Sequence, residues 1–127
     1  MAGILVVDDE LHIRLLLEQT LEELEEEGVD LHFASDGEEA LELIESTKPE
    51  LVFLDVMLPK VNGFEICKAV KEKMGLKDTC VVIITAKGQE FDKWKGREVG
   101  ADFYITKPFN PDEIVALARR VLRLEQK

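Results

Sequence analysis

Five residues with chemically useful side chains stand directly after, or at the very end of, apolar runs. "ILVV" (Ile4–Val7) is followed by Asp8 and Asp9, "LVFL" (Leu51–Leu54) by Asp55, "VVII" (Val81–Ile84) by Thr85, and "DFYIT" (Asp102–Thr106) by Lys107. Three carboxylates brought together repel one another, and their pKa values rise unless a cation neutralises them. Oxygen ligands without Cys or His select a hard ion, so this set points to Mg²⁺, with Mn²⁺ as a substitute, held partly through water. Lys107 then adds a second positive charge and Thr85 a hydroxyl. A dianionic phosphoryl group fits between metal, lysine and hydroxyl, as in-line phosphoryl transfer requires. The nucleophile is an aspartate that forms an acyl phosphate. Asp55 is the candidate because it stands singly on a central strand, whereas Asp8 and Asp9 are better placed to hold the metal.

Taken singly, each feature has a plainer reading. An Asp pair before a helix is a common cap, Thr is frequent at strand ends, and a Lys-Pro step often makes only a turn. What unites them is position: in an open parallel sheet the carboxyl ends of the strands share one rim, where ligands bind. The sequence supports such a sheet. "ILVV", "LVFL" and "VVII" are continuously apolar, as strands covered on both faces are, and "VDLHFA" (Val29–Ala34) alternates, which suits an edge. Between the runs lie helical patterns. Residues 10–27 put Ile13, Leu17, Leu21 and Leu24 on one stripe, and 37–47 follow a cap at Ser35 or Asp36. Residues 63–74 carry Ile66, Cys67, Val70 and Met74, and 89–98 are weakly patterned. The last helix has Asn110 as its cap, Pro111 at its first position, and acids facing the positive end of its dipole. Five strands alternating with five helices predict an α/β fold: a flavodoxin-like, doubly wound, five-stranded parallel sheet in strand order 2-1-3-4-5.

The 127 residues fit one domain, expected over 1–127, and show no linker, repeat or low-complexity segment. A net charge of −11 disfavours direct nucleic-acid binding by this chain. The acid-rich "EQTLEELEEEG" reads as a solvated helix face. Cys67 and Cys80 match no metal or redox spacing and read as small core residues. No signal peptide or membrane span is legible, so the expected location is cytoplasmic.

The set "VVDDE", "LVFLDVMLPKVNGFE", "VVIITAKG" and "GADFYITKPF" strongly resembles the receiver domain of bacterial two-component response regulators, over essentially the whole chain. The resemblance implies that Asp55 is the phosphoacceptor. It implies that Asp9, Asp55 and the backbone carbonyl of Met57 bind Mg²⁺ directly, with Asp8 acting largely through water. Thr85 is then the switch hydroxyl, Lys107 the phosphoryl-pairing lysine behind a cis Lys107–Pro108 bond, and Tyr104 the switch aromatic. The implied donor is a sensor histidine kinase or phosphotransfer protein, recognised through the first helix and following loops. The implied readout is a change in the surface of the fourth predicted helix, last strand and last helix, sensed by an effector protein or an output domain.

In the family, the positions two beyond Asp55 and Thr85, here Met57 and Lys87, influence attack by water. Met57 offers no polar group, so a long-lived phosphoryl state is expected. The C-terminal third also looks like receivers of winged-helix transcription factors. Phe103 and Leu117 replace an acid and an arginine used there for pairing, while Asp102 and Glu113 are retained. The expected state is a monomer or a weak, phosphorylation-dependent dimer, with Phe103 and Trp94 available as an apolar patch for a partner. Two other classes compete. A haloacid-dehalogenase-type hydrolase needs an acid where Met57 stands, and a phosphorylation-independent binding module has no need of the complete acid set. The chain ends at "RLEQK" in helical pattern, which suits a stand-alone receiver or one joined to a longer protein.

Overall fold

A computed structural model describes residues 2–86 and 98–126. The predicted helix over 89–98 falls outside them except for its last residue, and Lys87 and Trp94 lie outside them too. Five parallel strands form one sheet in the predicted order 2-1-3-4-5: β1 (Gly3–Val7), β2 (Asp30–Ala34), β3 (Leu51–Asp55), β4 (Cys80–Ala86) and β5 (Phe103–Lys107). β3 is buried throughout and lies between β1 and β4, with Val7 opposite Leu54 and Asp55 opposite Ile84. β2, the run with alternating polarity, is an edge strand.

The period-two alternation of side chains divides the core between two faces. Leu5, Val7, Val52, Leu54, Val81 and Ile83 meet one set of helices, α3 (Gly37–Thr47) and α4 (Gly63–Lys68). Ile4, Val6, Phe53, Val82, Ile84 and Ile105 meet the other set, α1 (Leu11–Thr20), α2 (Glu22–Glu26) and α5 (Pro111–Val121). Each fully buried aliphatic or aromatic side chain contributes about 1.5–3 kcal/mol. A strand such as β3, sealed on both faces, is therefore a rigid mount for whatever stands at its end.

The helix signals translate directly at three caps. Asp36 accepts from the Glu39 amide at 2.8 Å, Asn62 from Glu65 at 3.0 Å and Asn110 from Asp112 at 2.9 Å, so the cap before α3 is Asp36 rather than Ser35. Apart from the last helix, which ends at Val121 rather than running on into "RLEQK", three details depart from the sequence reading. The first helix is not continuous over 10–27: it breaks at Leu21, where the Thr20 hydroxyl donates to the Leu16 carbonyl at 2.7 Å, a back-bond that bends helices. α4 passes into a π-turn over Ala69–Lys73.

The third departure is the acidic run, which is not only a solvated face. Arg119 of α5 is 1% exposed, and its guanidinium donates to Glu23 at 2.6 Å and to both carboxylate oxygens of Glu27. Their hydrogen bonds, Glu27's first, hold the Arg119 charge more firmly than burial opposes it. Of the two cysteines Cys67 is buried and Cys80 half-buried, and burial pushes their thiols up to about 12 and about 11.

Candidate functional site

At the carboxyl rim of the sheet, Asp8 follows β1 and Asp55 ends β3. Both are buried, 1% and 6% exposed. They are held in the same way. Asp8 Oδ1 accepts the Glu10 amide at 2.9 Å, and Asp55 Oδ1 accepts the Met57 amide at 3.1 Å. Each is an Asx-type bond two residues forward, the local turn that Asp favours. The second oxygen of each then faces Lys107, whose Nζ donates to Asp55 Oδ2 at 3.0 Å and to Asp8 Oδ2 at 3.2 Å. Lys107 closes β5, and its bond to Pro108 is cis, as expected. The first turn of α1 is tied to the same rim by Arg14, whose Nη1 donates to the Asp8 carbonyl at 2.6 Å.

Asp9 is exposed beside these two, and one carboxylate oxygen each from Asp8, Asp9, Glu10 and Asp55 lie within 4.8 Å of one another. Glu10 is the member that the sequence reading missed. It is the third acid of the quoted "VVDDE", and its carboxylate also lies 3.9 Å from Lys107. Thr85 is buried on β4, one residue beyond Ile84, the register partner of Asp55, so it sits at the same rim. Met57 is 79% exposed, and its amide is what holds Asp55.

Tyr104, half-buried on β5 opposite Ile83, lies away from the rim. It lines a hollow of about 520 Å³ with Phe103, Glu113, Leu117 and Arg120, and the Arg120 guanidinium lies 5.3 Å from the centre of the Phe103 ring. Asp102 is engaged inside the chain, accepting the Val81 amide at 2.8 Å and pairing with Lys71 at 2.9 Å.

The electrostatics follow from this crowding. Burial raises the Asp55 pKa, and the negative charge of Asp8 adds to the effect, against the opposing hydrogen bond and charge of Lys107. Burial works against the Lys107 ammonium, but the hydrogen bond and charge of Asp55, joined by Asp8, outweigh it and raise its pKa. Among the described residues, four acids against Lys107 and the Arg14 guanidinium leave an excess of negative charge. A buried carboxylate whose ionised form is disfavoured is the condition that a hard cation relieves. The donor set therefore fits Mg²⁺: all oxygen, anionic and partly open to solvent.

The family model of the response regulator receiver domain matches residues 4–119. The alkaline phosphatase synthesis transcriptional regulatory protein PhoP of Bacillus subtilis (strain 168) is 49% identical over 120 residues, 94% of this chain and 48% of that protein. The chain spans about half the length of the curated relatives it matches. Among solved structures, the receiver domain of the Francisella response regulator 1452 superposes with a TM-score of 0.84 at 31% identity, covering 97% of this chain and 98% of that one. The chemotaxis protein CheY4 of Vibrio cholerae does so with a TM-score of 0.83 at 34% identity, covering 95% and 98%. Sequence match, sheet order and rim chemistry agree: the chain belongs to the response regulator receiver domain family, the receivers of two-component signalling.

Proposed function

We propose that Asp55 accepts a phosphoryl group from a phosphohistidine of a sensor kinase or phosphotransfer protein in a Mg²⁺-dependent reaction. The observation that carries this reading is the shared arrangement of Asp8 and Asp55, each with one oxygen fixed by a backbone amide and the other turned to Lys107. A carboxylate oxygen of Asp55 attacks phosphorus, the P–N bond to the donor imidazole breaks, and the imidazole leaves with the bonding pair and is protonated from solvent. Lys107 exchanges its bond to the carboxylate for one to a phosphoryl oxygen, so the positive charge follows the negative charge through the transfer. Asp8, Asp9 and Asp55, with the Met57 carbonyl, would hold the ion, and Glu10 adjoins them. Bound Mg²⁺ supplies charge neutralisation to the phosphoryl oxygens.

In this reading Thr85, next along β4 from the residue paired with Asp55, donates to a phosphoryl oxygen, and Tyr104 reports the change on the β5–α5 surface. This is a two-state element biased by new charge-assisted bonds. The exposed Leu11, Leu15 and Leu16 on α1, together with Met57, give the donor an apolar approach to the site. The transcriptional role in the name of the Bacillus relative supports an output in gene control, through an attached domain or a separate effector. With no polar group at Met57 to orient water, the phosphoryl state is long-lived.

Intact mass after incubation with Mg²⁺ and acetyl phosphate tests the proposal. One added phosphoryl group is expected, absent in Asp55→Asn and in EDTA. No added mass, under conditions that label a known receiver, would refute it.

A further inference from the structure

Gly37 is the first residue of α3, and Gly is a poor helix former, about 1 kcal/mol less favourable than Ala in a helix interior. Its φ is not in the left-handed region, so conformation does not require glycine there. Space does. A Cβ on Gly37 would overlap the Val61 carbonyl oxygen and lie 2.6 Å from Val61 Cβ and 2.8 Å from its carbonyl carbon. Gly28 and Gly75 show the opposite case: positive φ, with nothing within 4 Å of an added Cβ.

The partner of Gly37 is the loop that follows Asp55. The Gly37 amide donates to the Pro59 carbonyl at 3.2 Å. That same carbonyl accepts the Val61 amide at 2.9 Å, closing a γ-turn on Lys60, whose φ is +71°. Lys60 Nζ reaches back to Asp36 at 3.6 Å and Glu38 at 3.9 Å. The near end of the loop is closed as well. The Leu58 and Gly63 amides both donate to the Val56 carbonyl at 3.1 Å, and a Cβ on Gly63 would come 2.5 Å from the Asp55 carbonyl oxygen. Met57, whose amide sets the Asp55 carboxylate, lies within the near anchor, between Val56 and Leu58, two residues before the Pro59 carbonyl that Gly37 holds.

We propose that Gly37 is a positioning residue for the phosphoacceptor: by admitting Val61 against the first turn of α3, it fixes the 56–62 loop and hence the Met57 peptide that orients Asp55. The consequence for metal binding and phosphoryl transfer rests on the reading of Asp55 given above; the positioning itself does not. The Pro59 carbonyl, held by both the Gly37 and Val61 amides, is two peptides from Met57, and this is the route by which a displacement at Val61 reaches the Met57 amide.

The test compares Gly37→Ala with Gly28→Ala, which strains a positive-φ turn elsewhere and so controls for lost stability. The first readout, taken without divalent ion, is the ¹H–¹⁵N cross-peak of the Met57 amide, and the second is Mg²⁺ affinity from titration of the same spectra. In Gly37→Ala the Met57 peak moves upfield as its bond to Asp55 lengthens, and Mg²⁺ affinity falls about tenfold, the low end for residues that orient metal ligands. Gly28→Ala leaves both as in wild type. A folded Gly37→Ala with an unmoved Met57 peak would overturn the proposal. Should Gly37→Ala not fold, Val61→Gly, which leaves α3 and its cap intact, decides by the same peak. If the wild-type chain binds no Mg²⁺, the functional reading fails, and the Met57 peak still decides the positioning.

Discussion

Replacing Asp55 by Asn should stabilise the metal-free protein at neutral pH and abolish most of its stabilisation by Mg²⁺. The Asp55 carboxylate lies within 4.8 Å of a carboxylate oxygen of each of Asp8, Asp9 and Glu10. At an effective dielectric constant of about 20, the buried Asp8 repels it by about 3.5 kcal/mol, while the exposed Asp9 and Glu10, in near-aqueous surroundings, add about 1 kcal/mol each. Lys107, at 3.0 Å, attracts it by about 5.5 kcal/mol on the same scale. The charge–charge contributions nearly cancel, so burial decides the sign, in agreement with the raised pKa of Asp55 and its leading cause.

An acid whose folded pKa is raised contributes stability that is fully present below the unfolded pKa and is lost as pH rises through the folded one. Asn preserves the shape and removes the desolvated charge. With desolvation worth about 1–3 kcal/mol, the expected gain at pH 7 in EDTA is about 1–2 kcal/mol. That is a rise in Tm of roughly 3–10 °C for a chain of this length. Urea and thermal melts measure it, and the advantage should shrink as pH falls through the raised folded pKa of Asp55 toward its ordinary value of 3.8. At a free Mg²⁺ concentration a hundredfold above Kd, wild type gains about 2.7 kcal/mol and the variant much less. A variant less stable than wild type in EDTA at pH 7, or an advantage that grows as pH falls, would show that the Lys107 pair outweighs burial and refute the reasoning.

Lys107→Met should lower metal-free stability by about 3–5 kcal/mol, because Asp8 and Asp55 lose their shared cation, and Mg²⁺ should restore part of the loss. The raised Lys107 pKa makes its contribution complete below its unfolded value of 10.5 and lost as pH rises through the higher folded value. The stability difference between wild type and Lys107→Met, measured by urea melts, should therefore narrow above that pH. Met57→Asn, which can orient a water, should shorten the phosphoryl half-life by about tenfold, short of an optimally placed base; intact mass against time after donor removal reads it. Arg119→Met should lower Tm more than Glu23→Gln, since it leaves two carboxylates without their shared partner while Glu23→Gln leaves Glu27 in place. Equal effects would show that Glu23 alone carries the clamp.

Much of the sheet and its rim was legible because both depend on short-range signals. Unbroken apolar runs fit strands covered on two faces, and the residue after each run must lie at the rim whatever the helices do. The Asn110–Pro111 cap was readable for the same reason, since its bond spans two residues. Asp36 over Ser35 was a closer contest, settled by which side chain meets the Glu39 amide.

Other features depend on partners distant in sequence. Glu10 joins the site because Lys107 arrives from β5, and Arg119 is buried because Glu23 of α2 and Glu27 just after it cover it from more than ninety positions away. The acidic run gave no sign of which of its carboxylates would be used. The break at Leu21 was hidden because its apolar stripe continues unbroken, with Leu17, Leu21 and Leu24 all buried. Asp102 was legible only as an acid retained from pairing receivers, and its bond to Lys71 within the chain was not. By itself the sequence determined the parallel α/β layout and the chemistry delivered to one rim, because strand periodicity and strand-end residue types are local. Only the tertiary structure decided which oxygen of each aspartate meets Lys107 and how a glycine on α3 braces the loop beside Asp55, because those are contacts between elements, set by packing distances that no spacing along the chain encodes.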